Sequence, residues 1–160
     1  SRNRLWAGDG LGGFVDVSAS SGADLPGYGF GVAVADYDRD GWLDLLLGVR
    51  GEGYRLLRNA GAARTPPDLG HWLGLQLEGQ GAGGLGAVGA RAVVVDDSGR
   101  RQLREVAVGA ALGAGHDPAL HFGLGSAQVV SVELRWPDGL TQVVGPLARD
   151  RWHSIARPAP

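Results

Sequence analysis

Asp36-Tyr37-Asp38-Arg39-Asp40-Gly41-Trp42-Leu43-Asp44 sets carboxylates at positions 1, 3, 5 and 9 of nine residues, with glycine at position 6. Alternate spacing turns the first three Asp side chains into one concavity, and Gly41 supplies the positive φ that returns the chain. Trp42 would add its backbone carbonyl, and Asp44 would close the cage with one or both oxygens. Hard oxygen donors in that number suit Ca²⁺, which takes six to eight, whereas Mg²⁺ wants a tighter octahedron and keeps its waters. An acidic surface turn is the weaker reading, because without a cation these carboxylates repel one another at short range. The spacing predicts a calcium site at Asp36, Asp38, Asp40, Trp42 and Asp44.

The flanks decide what kind of loop this is. An EF-hand would sit between helices and carry Glu at position 12, where this chain has Leu47. Tyr28 to Ala35 alternates small and β-branched residues, and Trp42 to Val49 is short, Gly-punctuated and rich in strand formers. Both runs read as strands, so the loop is the tip of a metal-clamped hairpin.

Outward from the hairpin, Gly13 to Ser18 reads as a short strand, 18–27 as a polar Ser/Gly loop, and Tyr54 to Arg58 as a further strand. Arg4 to Gly10 aligns with Arg55 to Gly61 at an offset of 51 residues, a period typical of propeller blades or stacked arrays. Asn3-Arg4-Leu5-Trp6, Asp9-Gly10, Phe14-Val15-Asp16, the run Gly31 to Asp44, and Leu56 to Gly61 together resemble the FG-GAP or VCBS repeat. In that family each unit is a blade of an integrin-type β-propeller with calcium in the hairpin loop. The resemblance covers residues 3–61 and implies ligands at the same five positions.

Pro66-Pro67 breaks regular structure, so 62–70 reads as a linker. From His71 the strands lengthen and no second Asp-rich loop occurs. His71 to Glu78 places Leu73, Leu75 and Leu77 on one face. Ala87 to Asp96, Leu103 to Gly109, Val129 to Trp136, Leu140 to Val144 and Arg151 to Ile155 complete six strands. Turns fall at Asp96-Asp97-Ser98-Gly99 and Pro137-Asp138-Gly139. Six strands with turn signals predict a small β-sandwich or barrel. His71-Trp72-Leu73, Val88-Gly89-Ala90-Arg91, Arg104-Glu105-Val106, His121-Phe122-Gly123-Leu124-Gly125 and Val132 to Gly139 resemble the ASPIC/UnbV domain over roughly 71–155. That family is associated with extracellular or surface proteins. The expected layout is all-β: a partial propeller-like blade region at 1–61, the linker at 62–70, and a β domain at 71–160.

Composition narrows the functional classes. A chain of 160 residues with 44% apolar content can build real cores, and a net charge of −2 with no basic run gives no footprint for nucleic acid. No apolar run approaches the 18 or so residues of a membrane-spanning helix. Cysteine and methionine are absent, so no thiol or disulfide contributes. The methionine-free chain reads as a processed product or a piece of a longer protein.

Gly81-Ala82-Gly83-Gly84-Leu85-Gly86 matches the dinucleotide-binding pattern, but a strand-like run follows where a helix must hold the pyrophosphate, so it reads as a loop. His71, His116, His121 and His153 lack ligand or triad spacing and read as strand-end residues with local hydrogen bonds. Arg50-Gly51-Glu52 ends in Glu, not Asp, and is not an integrin-recognition tripeptide. Of five tryptophans, Trp6, Trp72, Trp136 and Trp152 read as packed on strands, and Trp42 as protruding from the loop where it could touch a glycan. The expected function is a secreted or cell-surface calcium-binding structural or adhesive module, not an enzyme. Partners would be calcium and other protein chains, with association of identical chains into oligomers or filaments. The alternative is a carbohydrate- or matrix-binding module cut from a longer β-propeller protein.

Overall fold

The computed structural model describes residues 2–61, 70–79, 87–109 and 115–159. The expected linker at 62–70, apart from Gly70, and the Gly81–Gly86 loop lie outside them. Among the described residues twelve short strands form four open sheets, and the only helix is the four-residue turn α1 (Ser18–Ser21), inside the polar loop of the sequence reading. No described helix is long and apolar enough to cross a membrane.

The first half is built from hairpins. β1 (Trp6–Gly8) pairs antiparallel with β2 (Phe14–Asp16), with Asp9 accepting the Leu11 and Gly13 amides across the turn. β3 (Gly29–Ala35), β4 (Asp44–Val49) and β5 (Gly53–Leu57) follow as an antiparallel meander. Ala35 pairs with Asp44, so the Asp-rich loop closes the β3–β4 hairpin as its flanks predict, and Gly41 sits at φ 93°.

The second half is a sandwich, settling the choice between sandwich and barrel. One sheet runs β11 (Thr141–Val144), β10 (Val129–Arg135), β7 (Arg91–Asp96), β8 (Arg101–Glu105); the other runs β12 (Arg151–Ala156), β6 (His71–Glu78), β9 (Leu120–Gly125). Leu73, Leu75 and Leu77 point inward as the alternation predicts, and they share one core with Val94, Phe122, Leu124, Val132, Leu134 and Trp136 from both sheets. The buried Trp136 indole donates to Gln142 Oε1 at 3.0 Å, so no polar group is stranded there.

Several boundaries differ from the sequence reading. Ala87 to Ala90 is a turn, not strand: Gly89 adopts φ 86° and Ala90 N–H bonds Ala87 C=O. β8 ends at Glu105, and Val106 instead exchanges hydrogen bonds with Gly89 and Ala90. The His121-Phe122-Gly123 run, unassigned by periodicity, is β9 and supplies the buried Phe122. β12 returns parallel to β6, a long-range pairing that no local pattern encodes.

Candidate metal centre

Each carboxylate of the loop has a distinct job. Asp36, at the end of β3, is buried to 3% exposure, and its Oδ2 accepts Gly41 N–H at 3.0 Å and the Trp152 indole N–H at 3.3 Å. Its Oδ1 is buried with no partner. Burial, opposed by those two hydrogen bonds, pushes the Asp36 carboxyl above the usual carboxylate range. Asp38 and Asp40 are exposed and stabilise the turn, with Asp38 Oδ1 accepting Asp40 N–H at 3.4 Å and Asp40 Oδ1 accepting Trp42 N–H at 3.0 Å. Asp36, Asp38 and Asp40 offer oxygens that all lie within 4.8 Å of one another.

Asp44 stands outside that trio. Its Oδ2 accepts Tyr37 N–H at 3.2 Å and its Oδ1 accepts Asn59 N–H at 2.7 Å, so it staples the base of the loop to the segment just past β5. Trp42 does not protrude: it is half-buried over Gly61, where an added Cβ would come within 2.1 Å of the ring.

Arg58 is the residue that sequence reasoning missed. Its Nε bonds Asp38 Oδ2 at 2.6 Å and its Nη2 bonds Asp40 Oδ2 at 2.7 Å. The guanidinium holds the Asp38 carboxyl below the usual range. Its single positive charge is shared between two of the three carboxylates, and it makes no bond to Asp36. The pairing of Leu45 with Leu57 is what brings Arg58 beside the loop.

Three of the four histidines are not local fixtures. His116 Nδ1 accepts Val34 N–H at 3.3 Å, and His121 Nε2 lies 2.9 Å from Gly41 C=O. Both contacts cross from one half of the chain to the other. His71 pairs with Asp150 at 2.6 Å, and His153 alone bonds nearby, to Ala148 C=O at 2.7 Å.

The donor set fits a hard cation. Three carboxylates within reach of one another would hold it, with backbone carbonyls and water making up the number calcium takes. A buried carboxylate oxygen with no hydrogen-bond partner is costly unless a positive charge faces it.

An open antiparallel meander with an Asp-rich hairpin, set before a small sandwich, defines a blade-and-sandwich protein. Residues 1–47 match the family model of the FG-GAP-like repeat, and residues 82–160 match that of ASPIC and UnbV. The chain joins an FG-GAP-like repeat to an ASPIC and UnbV domain. Among its relatives, cartilage acidic protein 1 of Homo sapiens is 32% identical over 146 residues, which is 87% of this chain and 21% of that protein. The Mus musculus protein of the same name is also 32% identical over 146 residues, covering 87% and 22%. The Xenopus tropicalis one is 30% identical over 125 residues, covering 78% and 18%. The chain spans about a fifth of the length of these curated relatives.

Proposed function

We propose that this chain is an extracellular calcium-binding structural or adhesive module and not an enzyme. One observation carries the reading: the buried, unpartnered Asp36 Oδ1 belongs to a carboxylate clustered with Asp38 and Asp40 within 4.8 Å. Calcium supplies the positive charge that Arg58 brings to only two of the three. With a dissociation constant of ~10 μM and calcium at ~1 mM, binding stabilises the folded chain by roughly 2.7 kcal/mol. The test is thermal unfolding in calcium and in chelator. A raised midpoint in calcium, mostly lost in Asp40→Ala, is expected; an unchanged midpoint sinks the reading.

A second feature favours association with other chains. The β3–β4–β5 blade has both faces only partly covered, by Leu5 and Ala23 on one side and by Gly115 to Asp117 on the other. Val32, Val34, Leu45 and Leu47 line a cavity of about 510 Å³ on one side, and Ala33, Leu46 and Leu56 line one of about 520 Å³ on the other. Apolar sheet faces of this kind are covered by a neighbouring blade or by another copy. Light scattering of the chain in calcium at micromolar concentration is expected to show a mass above the monomer. A stable monomer excludes assembly of identical chains.

A further inference from the structure

We propose that the loop cation locks the blade onto the sandwich, and that Trp152 is the positioning residue through which each half senses the other; this rests on the calcium reading above. Asp36 belongs to the blade, yet one of the two donors on its Oδ2 comes from β12 of the sandwich, 116 residues away. With Oδ2 held by Gly41 N–H and the Trp152 indole, the carboxylate cannot turn, and Oδ1 is left for the ion. Hydrogen bonds behind a metal ligand orient it and tune its affinity in this way.

The platform under the loop is built for the contact. Trp72, His121 and Trp152 come from β6, β9 and β12, on the face of that sheet opposite the sandwich core. Trp72 stacks on His121 with ring centroids 5.7 Å apart, and Trp152 tilts against Trp72 at 5.8 Å. Gly74 lets Trp152 lie on β6, since a Cβ there would come within 2.2 Å of the indole. Gly41 likewise admits Trp72, which a Cβ would meet at 2.1 Å. Gly41 C=O can only accept, so His121 Nε2 carries the proton and donates to it. Both ends of the metal-binding segment, Asp36 and Gly41, are therefore seated on the sandwich. A polar cavity of about 320 Å³ beside the joint draws its walls from both halves, with Asp36 and Arg39 on one side and Gln76 and Asp117 on the other.

Linkage makes the effect reciprocal: whatever factor docking contributes to ion affinity, the ion contributes to docking. The test uses the full chain. Hydrogen exchange in ~1 mM calcium and in chelator is read at the edge strand Arg151–Ala156 as well as at the loop. Calcium is expected to slow exchange in both. Calorimetric titration of Trp152→Phe, which keeps a ring and removes the donor, is expected to give calcium binding weaker by about tenfold or more. In that variant the calcium-dependent protection of Arg151–Ala156 is lost. Protection confined to the loop in the unaltered chain overturns the lock and leaves the calcium reading standing, whatever the variant does. No calcium binding by the unaltered chain overturns both.

Discussion

The two halves of the chain spend similar apolar sequence very differently. The sandwich buries Leu73, Leu75, Phe122, Leu124, Val132 and Trp136 to 2% exposure or less, all in one core. In the blade region Val49 alone is so buried among the apolar residues described, with Ala23 next at 6%, while Trp6, Phe14, Tyr28, Phe30, Tyr54 and Leu56 are each 45% exposed or more. Strand propensity and hairpin turns suffice to write a blade, but two faces of a three-stranded sheet need neighbours on both sides to become a core. The sandwich carries its second layer in its own sequence. What the blade has instead is polar: an Asp-rich loop, Arg58, and a seat on the Trp72–Trp152 platform.

The largest effects should separate the halves outright. A chain of residues 71–160 is expected to unfold cooperatively in chelator, because its core draws on no residue before Leu73. In the whole chain Phe122→Ala should cost about 3–5 kcal/mol, as for other fully buried aromatics. Leu46→Ala, at a site 41% exposed, should stay within about 0.5 kcal/mol in the monomer. Denaturant titration reads both; a large loss at Leu46 would show that its face is already covered and would erase the contrast.

A smaller effect sharpens the polar side of the comparison. Burial raises the Asp36 carboxyl above its unfolded value of about 3.9. The unfolded chain then gives up this proton first, so in chelator stability falls as pH rises from that value through the folded one. Asp36→Asn should remove the fall and leave metal-free stability at neutral pH unchanged or higher, while abolishing the gain from calcium. Unfolding midpoints across pH 4 to 8, with and without calcium, check both limbs. A variant that keeps the calcium gain would take Asp36 out of the site.

The smallest effect has the opposite sign. Asp16 is lowered to about 2, first by the Ser18 hydroxyl, then by Ser18 N–H and by Arg4. Its contribution is present above about 3.9 and is lost as pH falls toward 2. The site is exposed, so the change is modest. Asp16→Asn should flatten the acid limb of the stability profile in that window alone, and an unchanged limb would show that the β1–β2 ribbon opens before Asp16 is protonated.

By itself the sequence determined what neighbours along the chain can settle. The β3–β4 hairpin and its loop were legible because Asp spacing, Gly41 and the flanking strand formers act within nine residues or just beside them. The turn at Asp96–Gly99 was legible for the same reason: Asp96 Oδ1 takes the Ser98 and Arg100 amides, and Gly99 adopts φ 80°. The inward face of β6 followed from simple alternation. The tertiary structure alone decided that β12 runs parallel to β6, that His121-Phe122-Gly123 lies in a strand, and that Asp44 staples the loop while Asp36, Asp38 and Asp40 cluster. It also decided that Arg58, His121 and Trp152 meet the loop from 18 to 116 residues away. Those placements depend on sheet register and on an indole fitting over Gly74, and neither leaves a periodic trace in the chain.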